Sequence, residues 1–218
     1  PEIICTAGED SQCHIYNIKD RKIVTTISVK SKFRKVQWSR KEKTIAISCC
    51  DGSLYVRMEG GAYQIIKGST NAPLFDVAWS PFHSNWIAST DDEGGVLIFD
   101  TENQTCKRAV EHKDKARPVI WSETIDYLLV SGGWDGNIIL WDARTLTKLG
   151  IINAHSSHVY GLATHPDHPY LFVSSSRDET IRVWSFDRMF PSQKVNSLMN
   201  EGKFDAVKFC PFEGANDL

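Results

Sequence analysis

The sequence repeats a short turn at a nearly constant interval along its length. Each turn has an acidic residue, followed six residues later by an aromatic residue or, once, by arginine. The pairs are Asp10 with Tyr16, Asp51 with Arg57, Glu93 with Phe99, Asp135 with Trp141, and Asp178 with Trp184. Successive turns are 41, 42, 42 and 43 residues apart. A period near 42 predicts a repeat protein, in which each repeat stacks on its neighbours.

Each period contains four short runs rich in β-branched and aromatic residues, separated by Gly, Asp, Asn or Ser. In the clearest repeat these runs cover 118–121, 127–131, 137–141 and 147–153. Such runs are typical of strands, and Asp51-Gly52 and Asp135-Gly136 supply the positive φ that tight hairpins need. Four hairpin-linked strands form one blade of a β-propeller. The sequence therefore predicts an all-β fold with about five four-stranded blades.

The predicted repeats form a single propeller segment over residues 1–218. Their approximate bounds are 1–28 (partial), 29–67, 68–111, 112–153, 154–200 and 201–218 (partial). A last predicted strand at 204–209 has the right position to join the first three strands and close a five-bladed ring. We favour a segment of a larger propeller, seven-bladed or tandem, because both ends of the chain fall inside repeats.

Two strings of residues carry a family resemblance. SGGWDGNIILWD (131–142) and SSSRDETIRVWS (174–185) resemble the ends of WD repeats, and His112 and His155 stand where that family often has Gly-His. The resemblance covers essentially the whole chain and is weakest in the second repeat. It implies a propeller of seven blades more often than five. The run 75–185 is also similar to one large intracellular member of the family that has tandem propellers.

Two sets of polar residues have the composition of a nucleophilic triad, with a Trp added to each. They are His112, Ser131, Asp135 and Trp141 in the fourth repeat, and His155, Ser174, Asp178 and Trp184 in the fifth. An active site is normally built once, whereas this set recurs with the period. The WD-repeat resemblance implies a structural hydrogen-bond network for such a set. We therefore predict that the protein is not an enzyme.

Charge is balanced overall but unevenly distributed. Lys and Arg number 25 and Asp and Glu number 27, which gives a net charge of −2. This balance disfavours a nucleic-acid-binding protein, which normally carries an excess of positive charge. The basic residues concentrate in one segment. They are Lys30, Lys32, Arg34, Lys35, Arg40, Lys41 and Lys43. The segment is either a solvated edge strand protected by lysines or a docking patch for an acidic partner, such as an acidic protein surface or tail or RNA phosphates.

Four histidines, His155, His158, His165 and His168, have spacings that suggest zinc. The repeat register places the first two and the last two at opposite ends of a strand, roughly 20 Å apart. We therefore predict no metal, and the sequence has no cofactor motif. The six cysteines are scattered without a C-x-x-C pair, which favours a reducing, cytoplasmic location. The apolar runs are too short for a membrane helix, so no membrane insertion is expected.

Trp141-Asp142-Ala143-Arg144 resembles a box found in substrate receptors of cullin-type ubiquitin ligases. Arg144 is the residue that would reach an adaptor. The main prediction is a non-enzymatic scaffold that binds other proteins in a multi-subunit assembly. The closer family resemblance suggests a ciliary or cytoskeletal setting, and the alternative function is the ligase receptor.

Overall fold

The structure is a computed structural model that describes residues 2–40, 43–165 and 167–186, together with the backbone strand 207–209. Every regular element in these ranges is a β-strand, and none of the described residues forms a helix able to cross a bilayer. The strands form one three-stranded and four four-stranded sheets. The chain divides into two compact units, Pro1–Val110 and Glu111–Leu218. The predicted all-β class is confirmed, and the four-stranded sheets are consistent with propeller blades.

The first unit holds sheets 1 to 3. Sheet 1 consists of β1 (Ile3–Ala7), β2 (Gln12–Asn17) and β3 (Lys22–Ser28). Sheet 2 consists of β4 (Phe33–Trp38), β5 (Ile45–Cys49), β6 (Ser53–Arg57) and β7 (Tyr63–Lys67). Sheet 3 consists of β8 (Leu74–Trp79), β9 (Trp86–Asp91), β10 (Gly95–Asp100) and β11 (Thr105–Val110). Within each sheet, strands that follow one another in sequence are antiparallel neighbours.

The second unit holds sheets 4 and 5. Sheet 4 consists of β12 (Ala116–Trp121), β13 (Leu128–Gly133), β14 (Asn137–Asp142) and β15 (Thr147–Asn153). Sheet 5 consists of β16 (Val159–Thr164), β17 (Leu171–Ser176), β18 (Ile181–Ser185) and β19 (Val207–Phe209). β19 lies parallel to β18, with Val183 opposite Val207. The last predicted strand thus joins the fifth sheet, and its predicted residues 204–206 lie outside the described ranges.

The hairpin turns repeat one backbone feature from sheet to sheet. The residue after each acidic turn residue has a positive φ, between 64° and 79°. These residues are Ser11, Gly52, Gly94, Gly136 and Glu179. The left-handed conformation predicted for Gly52 and Gly136 is confirmed. Glycine adopts this conformation freely, whereas Ser11 and Glu179 occupy it against the preference of L-residues.

Apolar side chains fill the space between neighbouring sheets within each unit. Trp184 of β18 packs with Leu128, Val130 and Leu140 of sheet 4. In the first unit, Phe99 of β10 packs in the same way against residues of sheet 2 such as Leu54. In sheets 3 and 5, the aromatic residue of the third strand therefore packs in the core shared with the preceding sheet. This packing buries both faces of the inner strands and gives each unit its core.

Candidate functional site

The fourth-repeat network lies at the turn between β13 and β14. Nε2 of His112 is 2.8 Å from Oγ of Ser131, and its Nδ1 is 3.1 Å from a carboxylate oxygen of Asp135. The indole N–H of Trp141 donates to the same Ser131 Oγ at 2.8 Å. Asp135 also accepts from the backbone N–H of Lys113 at 3.0 Å. The network thus ties the segment before β12 to the β13–β14 turn and to the core.

The fifth-repeat network repeats this geometry nearly atom for atom. His155 Nε2 is 2.7 Å from Ser174 Oγ, and Trp184 donates to that oxygen at 2.8 Å. His155 Nδ1 lies 2.9 Å from Asp178, which also accepts from the hydroxyl of Thr180 at 2.7 Å. The structure therefore brings together all eight predicted network residues, four in each repeat.

Both turn carboxylates are held ionised. Burial raises the pKa of Asp135, but hydrogen bonds from His112 and from the Lys113 and Asn137 backbone N–H groups outweigh it and bring the pKa well below its ordinary value. For Asp178, burial acts in the same direction and is outweighed by hydrogen bonds from Thr180 and His155. A carboxylate that is ionised at neutral pH suits a structural anchor for surrounding N–H groups.

The two serines are not placed to act as nucleophiles. Ser131 and Ser174 are fully buried, with relative exposures of 0%. Each hydroxyl oxygen already contacts a His ring and an indole N–H, so a substrate carbonyl cannot approach it. Since a nucleophile must reach its substrate, these networks are best explained as buried, satisfied polar groups that fix one arrangement of the loops.

Sheet 3 anchors the equivalent turn with different residues. Asp91 is fully buried, and its carboxylate accepts from the Arg108 guanidinium at 2.6 Å and from the Gly95 backbone N–H at 2.7 Å. Arg108 also pairs with Glu93 at 3.0 Å. The sequence pattern did not predict this ion pair, because neither Asp91 nor Arg108 occupies a position of the His, Ser, Asp and Trp sets found in the fourth and fifth repeats. The signal that was available is the run of acidic residues just before β10.

The predicted basic segment is largely neutralised by acidic neighbours. Lys32 lies 3.6 Å from Glu9, and Arg34 also pairs with Glu9. Lys35 lies 3.7 Å from Asp76, and Lys43 lies 3.3 Å from Glu59. Of the remaining predicted residues, Lys30 is exposed, Arg40 also makes an interaction, and Lys41 lies outside the described residues. These pairs favour the solvated edge strand over the docking patch, since β4 is an edge strand of sheet 2.

Arg144 follows β14 and is held in a defined position. Its guanidinium donates to both carboxylate oxygens of Asp142, at 3.0 and 2.7 Å. The same group lies over the ring of Tyr127, with Cζ 4.1 Å from the ring centroid. The hydrogen bonds from Arg144 lower the pKa of Asp142. The Arg144 side chain remains 57% exposed, so it is ordered and accessible at once.

The four histidines occupy different surroundings. His155 belongs to the fifth-repeat network, and His158 stacks on Trp134 with ring centroids 4.6 Å apart. The rings of His165 and His168 lie 4.7 Å apart, and His165 Nδ1 accepts the backbone N–H of His168 at 3.1 Å. Within the described residues, no group of three or more potential ligands has metal-site geometry.

Sequence analysis also missed a cluster around Trp134, which we call the Trp134 cluster: Lys115, Arg117, Trp134, His158 and Tyr160. Arg117 and Lys115 lie over the indole ring at 4.5 and 5.0 Å from its centroid, and His158 stacks parallel to it. Tyr160 meets His158 edge-on and is 54% exposed. The five residues come from three separate segments of the chain, so no local sequence pattern predicts that they form a cluster.

A family model described as "WD domain, G-beta repeat" matches residues 119–142 and 146–185. These segments hold β14, β17 and β18 and the serine, acidic and Trp members of both networks. The match supports the WD-repeat resemblance drawn from 131–142 and 174–185.

Several curated proteins are similar to the chain. Protein FIZZY-RELATED 1 from Arabidopsis thaliana is 28% identical over 184 residues, which is 83% of this chain and 38% of that protein. The B-type cell cycle switch protein ccs52A from Medicago truncatula is 24% identical over 91% of this chain and 42% of its own length. Protein hir1 from Emericella nidulans is 29% identical over 51% of this chain and 11% of its own length. The chain thus spans about two fifths or less of these relatives.

Proposed function

We propose that this chain is a non-enzymatic scaffold that binds other proteins within a large multi-subunit assembly. The observation that carries the proposal is the Trp134 cluster, because it places the exposed Tyr160 and the half-exposed Trp134 and Lys115 beside a turn that Asp135 anchors. Aromatic residues and Arg are enriched at protein interfaces. The WD-repeat match and the buried state of Ser131 and Ser174 support binding rather than catalysis.

The partner surface we propose for the Trp134 cluster is acidic. Lys115, which is half-exposed, and Arg117, which is buried, both lie over the indole ring, so the cluster carries a positive potential that an acidic surface complements. This replaces the basic segment of β4 as the favoured docking surface, since four of that segment's cations pair with carboxylates of this chain. Binding of this kind weakens as salt increases.

The test is affinity purification of the full-length protein with mass spectrometry. Trp134→Ala is expected to lose one or more partners at unchanged abundance, and those partners are expected to elute early in a salt gradient. Trp86→Ala is the matched control, because Trp86 also packs on a histidine, His83, with ring centroids 4.3 Å apart, and belongs to the other unit. Identical partner sets for wild type and Trp134→Ala would contradict the proposal.

A substrate receptor of a cullin-type ubiquitin ligase is the second candidate, and the ordered, exposed Arg144 favours it. Asp142 and Tyr127 hold its guanidinium in one position, which lowers the entropy cost of contact with an adaptor. Arg144→Ala is expected to abolish co-purification with a cullin adaptor without changing the thermal midpoint. Arg177→Ala, another exposed arginine, serves as control. Unchanged adaptor recovery in Arg144→Ala would remove this candidate.

The setting we propose is cytoplasmic, within a ciliary or cytoskeletal complex. The support is the similarity of 75–185 to one large intracellular family member and the scattered cysteines, of which the five described are free thiols. Fluorescent tagging of the full-length protein in ciliated cells tests the setting. Signal at the ciliary base or axoneme is expected, and a purely nuclear signal would contradict it.

A further inference from the structure

A cavity of about 760 Å³ lies between sheets 1 and 2 of the first unit. Its apolar walls come from Ile3, Ile15, Val24 and Trp38, and Arg57 stands among them. Arg57 occupies the position that holds Phe99 in sheet 3 and Trp184 in sheet 5, where the aromatic ring packs in the core shared with the preceding sheet. An arginine in this position leaves the space open. The volume lies within the range of ordinary ligand pockets.

Arg57 and Glu2 are the charged groups lining this cavity whose side chains make no hydrogen bond or ion pair with the described residues. Lys43 and Glu59 also line the cavity, but they pair with each other at 3.3 Å. Within the described ranges, no hydrogen bond or ion pair joins the Arg57 guanidinium to another side chain. Glu2 stands at the exposed rim. A half-buried guanidinium against apolar walls is suited to a carboxylate, which it binds through two parallel hydrogen bonds.

Part of the rim of the cavity is apolar and open to solvent. Ile3 is 42% exposed and Val24 is 57% exposed. Large apolar side chains grouped at the mouth of a pocket mark an interaction site more often than scattered ones do. A ligand that pairs with the Arg57 guanidinium and also covers the apolar part of the rim carries a carboxylate next to a bulky apolar group.

We propose that this cavity binds an acidic peptide segment of a partner protein. The carboxylate of a Glu or Asp side chain pairs with Arg57, and a neighbouring Leu or Ile of the peptide covers Ile3 and Val24. The site deepens the proposed scaffold function, on which it rests, by naming the partner chemistry for the first unit. It is separate from the Trp134 cluster, which belongs to the second unit.

Fluorescence polarisation with a labelled peptide tests the site. The probe is an acetylated Leu-Glu-Leu peptide with flanking Gly and Ser, and its partner probe carries Gln in place of Glu. The full-length protein is expected to bind the Glu peptide at least tenfold more tightly than the Gln peptide, since a guanidinium makes stronger hydrogen bonds with a carboxylate than with a neutral amide.

Variants of Arg57 make the test specific. Arg57→Gln is expected to weaken the Glu peptide at least tenfold and to leave the Gln peptide unchanged. Arg57→Trp fills the cavity and is expected to abolish binding of both, while Arg177→Gln, which removes an exposed charge in the other unit, is expected to bind as wild type does. If Arg57→Trp fails to fold, Arg57→Gln alone decides.

Equal binding of the Glu and Gln peptides, or unchanged binding by Arg57→Gln, would overturn the proposal. If partner proteins are still captured through the Trp134 cluster in that case, the scaffold function stands and only the cavity site fails. If wild type captures no partner at all, the scaffold function fails, and the peptide result then shows whether the cavity binds carboxylates on its own.

Discussion

Sheets 2 and 4 share a strand order and a turn geometry. They differ in the residue at the aromatic position of the third strand and in the contacts of the turn carboxylate. In sheet 4, Trp141 is fully buried and donates to Ser131, which links it to the turn carboxylate through His112. In sheet 2, Arg57 stands at the Trp position and lines a cavity. The same backbone repeat thus supports a filled, hydrogen-bonded core in sheet 4 and a cavity beside sheet 2. The side chain at the aromatic position accounts for the difference.

The turn carboxylates show the same contrast. Asp135 receives N–H groups from Lys113 and Asn137 and contacts His112. Asp51 accepts the Ser53 N–H at 3.1 Å and the Ser53 hydroxyl, all within its own turn. A carboxylate that joins separate segments stabilises tertiary structure, whereas one that bonds only its own turn stabilises a local conformation.

The largest expected effect is at the aromatic position. Trp141→Ala removes a fully buried indole and its hydrogen bond, so the free energy of unfolding should fall by about 3–5 kcal/mol. Arg57→Ala should change it by less than about 1 kcal/mol, because that side chain fills no core space. Urea denaturation of both variants measures the contrast. Equal losses would mean that sheets 2 and 4 are not packed differently.

A smaller loss is expected at the turn. Asp135→Ala leaves the Lys113 and Asn137 N–H groups and His112 without their acceptor, which should cost about 2–3 kcal/mol. Asp51→Ala should cost about 1 kcal/mol, as for loss of a local cap. The same denaturation experiment checks both values. A loss at Asp51 as large as that at Asp135 would refute the distinction between local and tertiary anchors.

Acid should reduce the stability that the two buried networks contribute to the fold. Because the folded pKa of Asp135 and Asp178 lies below the unfolded value of about 4, their stabilisation is complete above that pH. It is lost as pH falls from about 4 toward the folded pKa. Unfolding curves at pH 7, 5 and 3.5 should show a shallower acid loss for Asp135→Asn than for wild type. Parallel losses in both proteins would contradict the assignment of Asp135 to the acid-sensitive groups.

Sequence analysis predicted the features that recur with the period and missed those that do not. The turns, the strands and both Ser–His–Asp–Trp sets are visible because the same residue types return after about 42 positions. The Asp91–Arg108 ion pair and the Trp134 cluster depend on residues that occur once and meet only after the strands pair. Arg57 was visible as an exception to the pattern, but the cavity it leaves is a property of packing between sheets.

Hydrogen–deuterium exchange of the full-length protein measures most directly whether the buried networks lock the loops that present the binding surface. In Asp135→Ala, the amides of 113–117 and 134–137 should exchange at least tenfold faster than in wild type, with sheets of the first unit unchanged. Asp51→Ala should affect only the residues around its own turn. Unchanged exchange at 113–117 in Asp135→Ala would contradict the account, because the loop would then keep its order without the network.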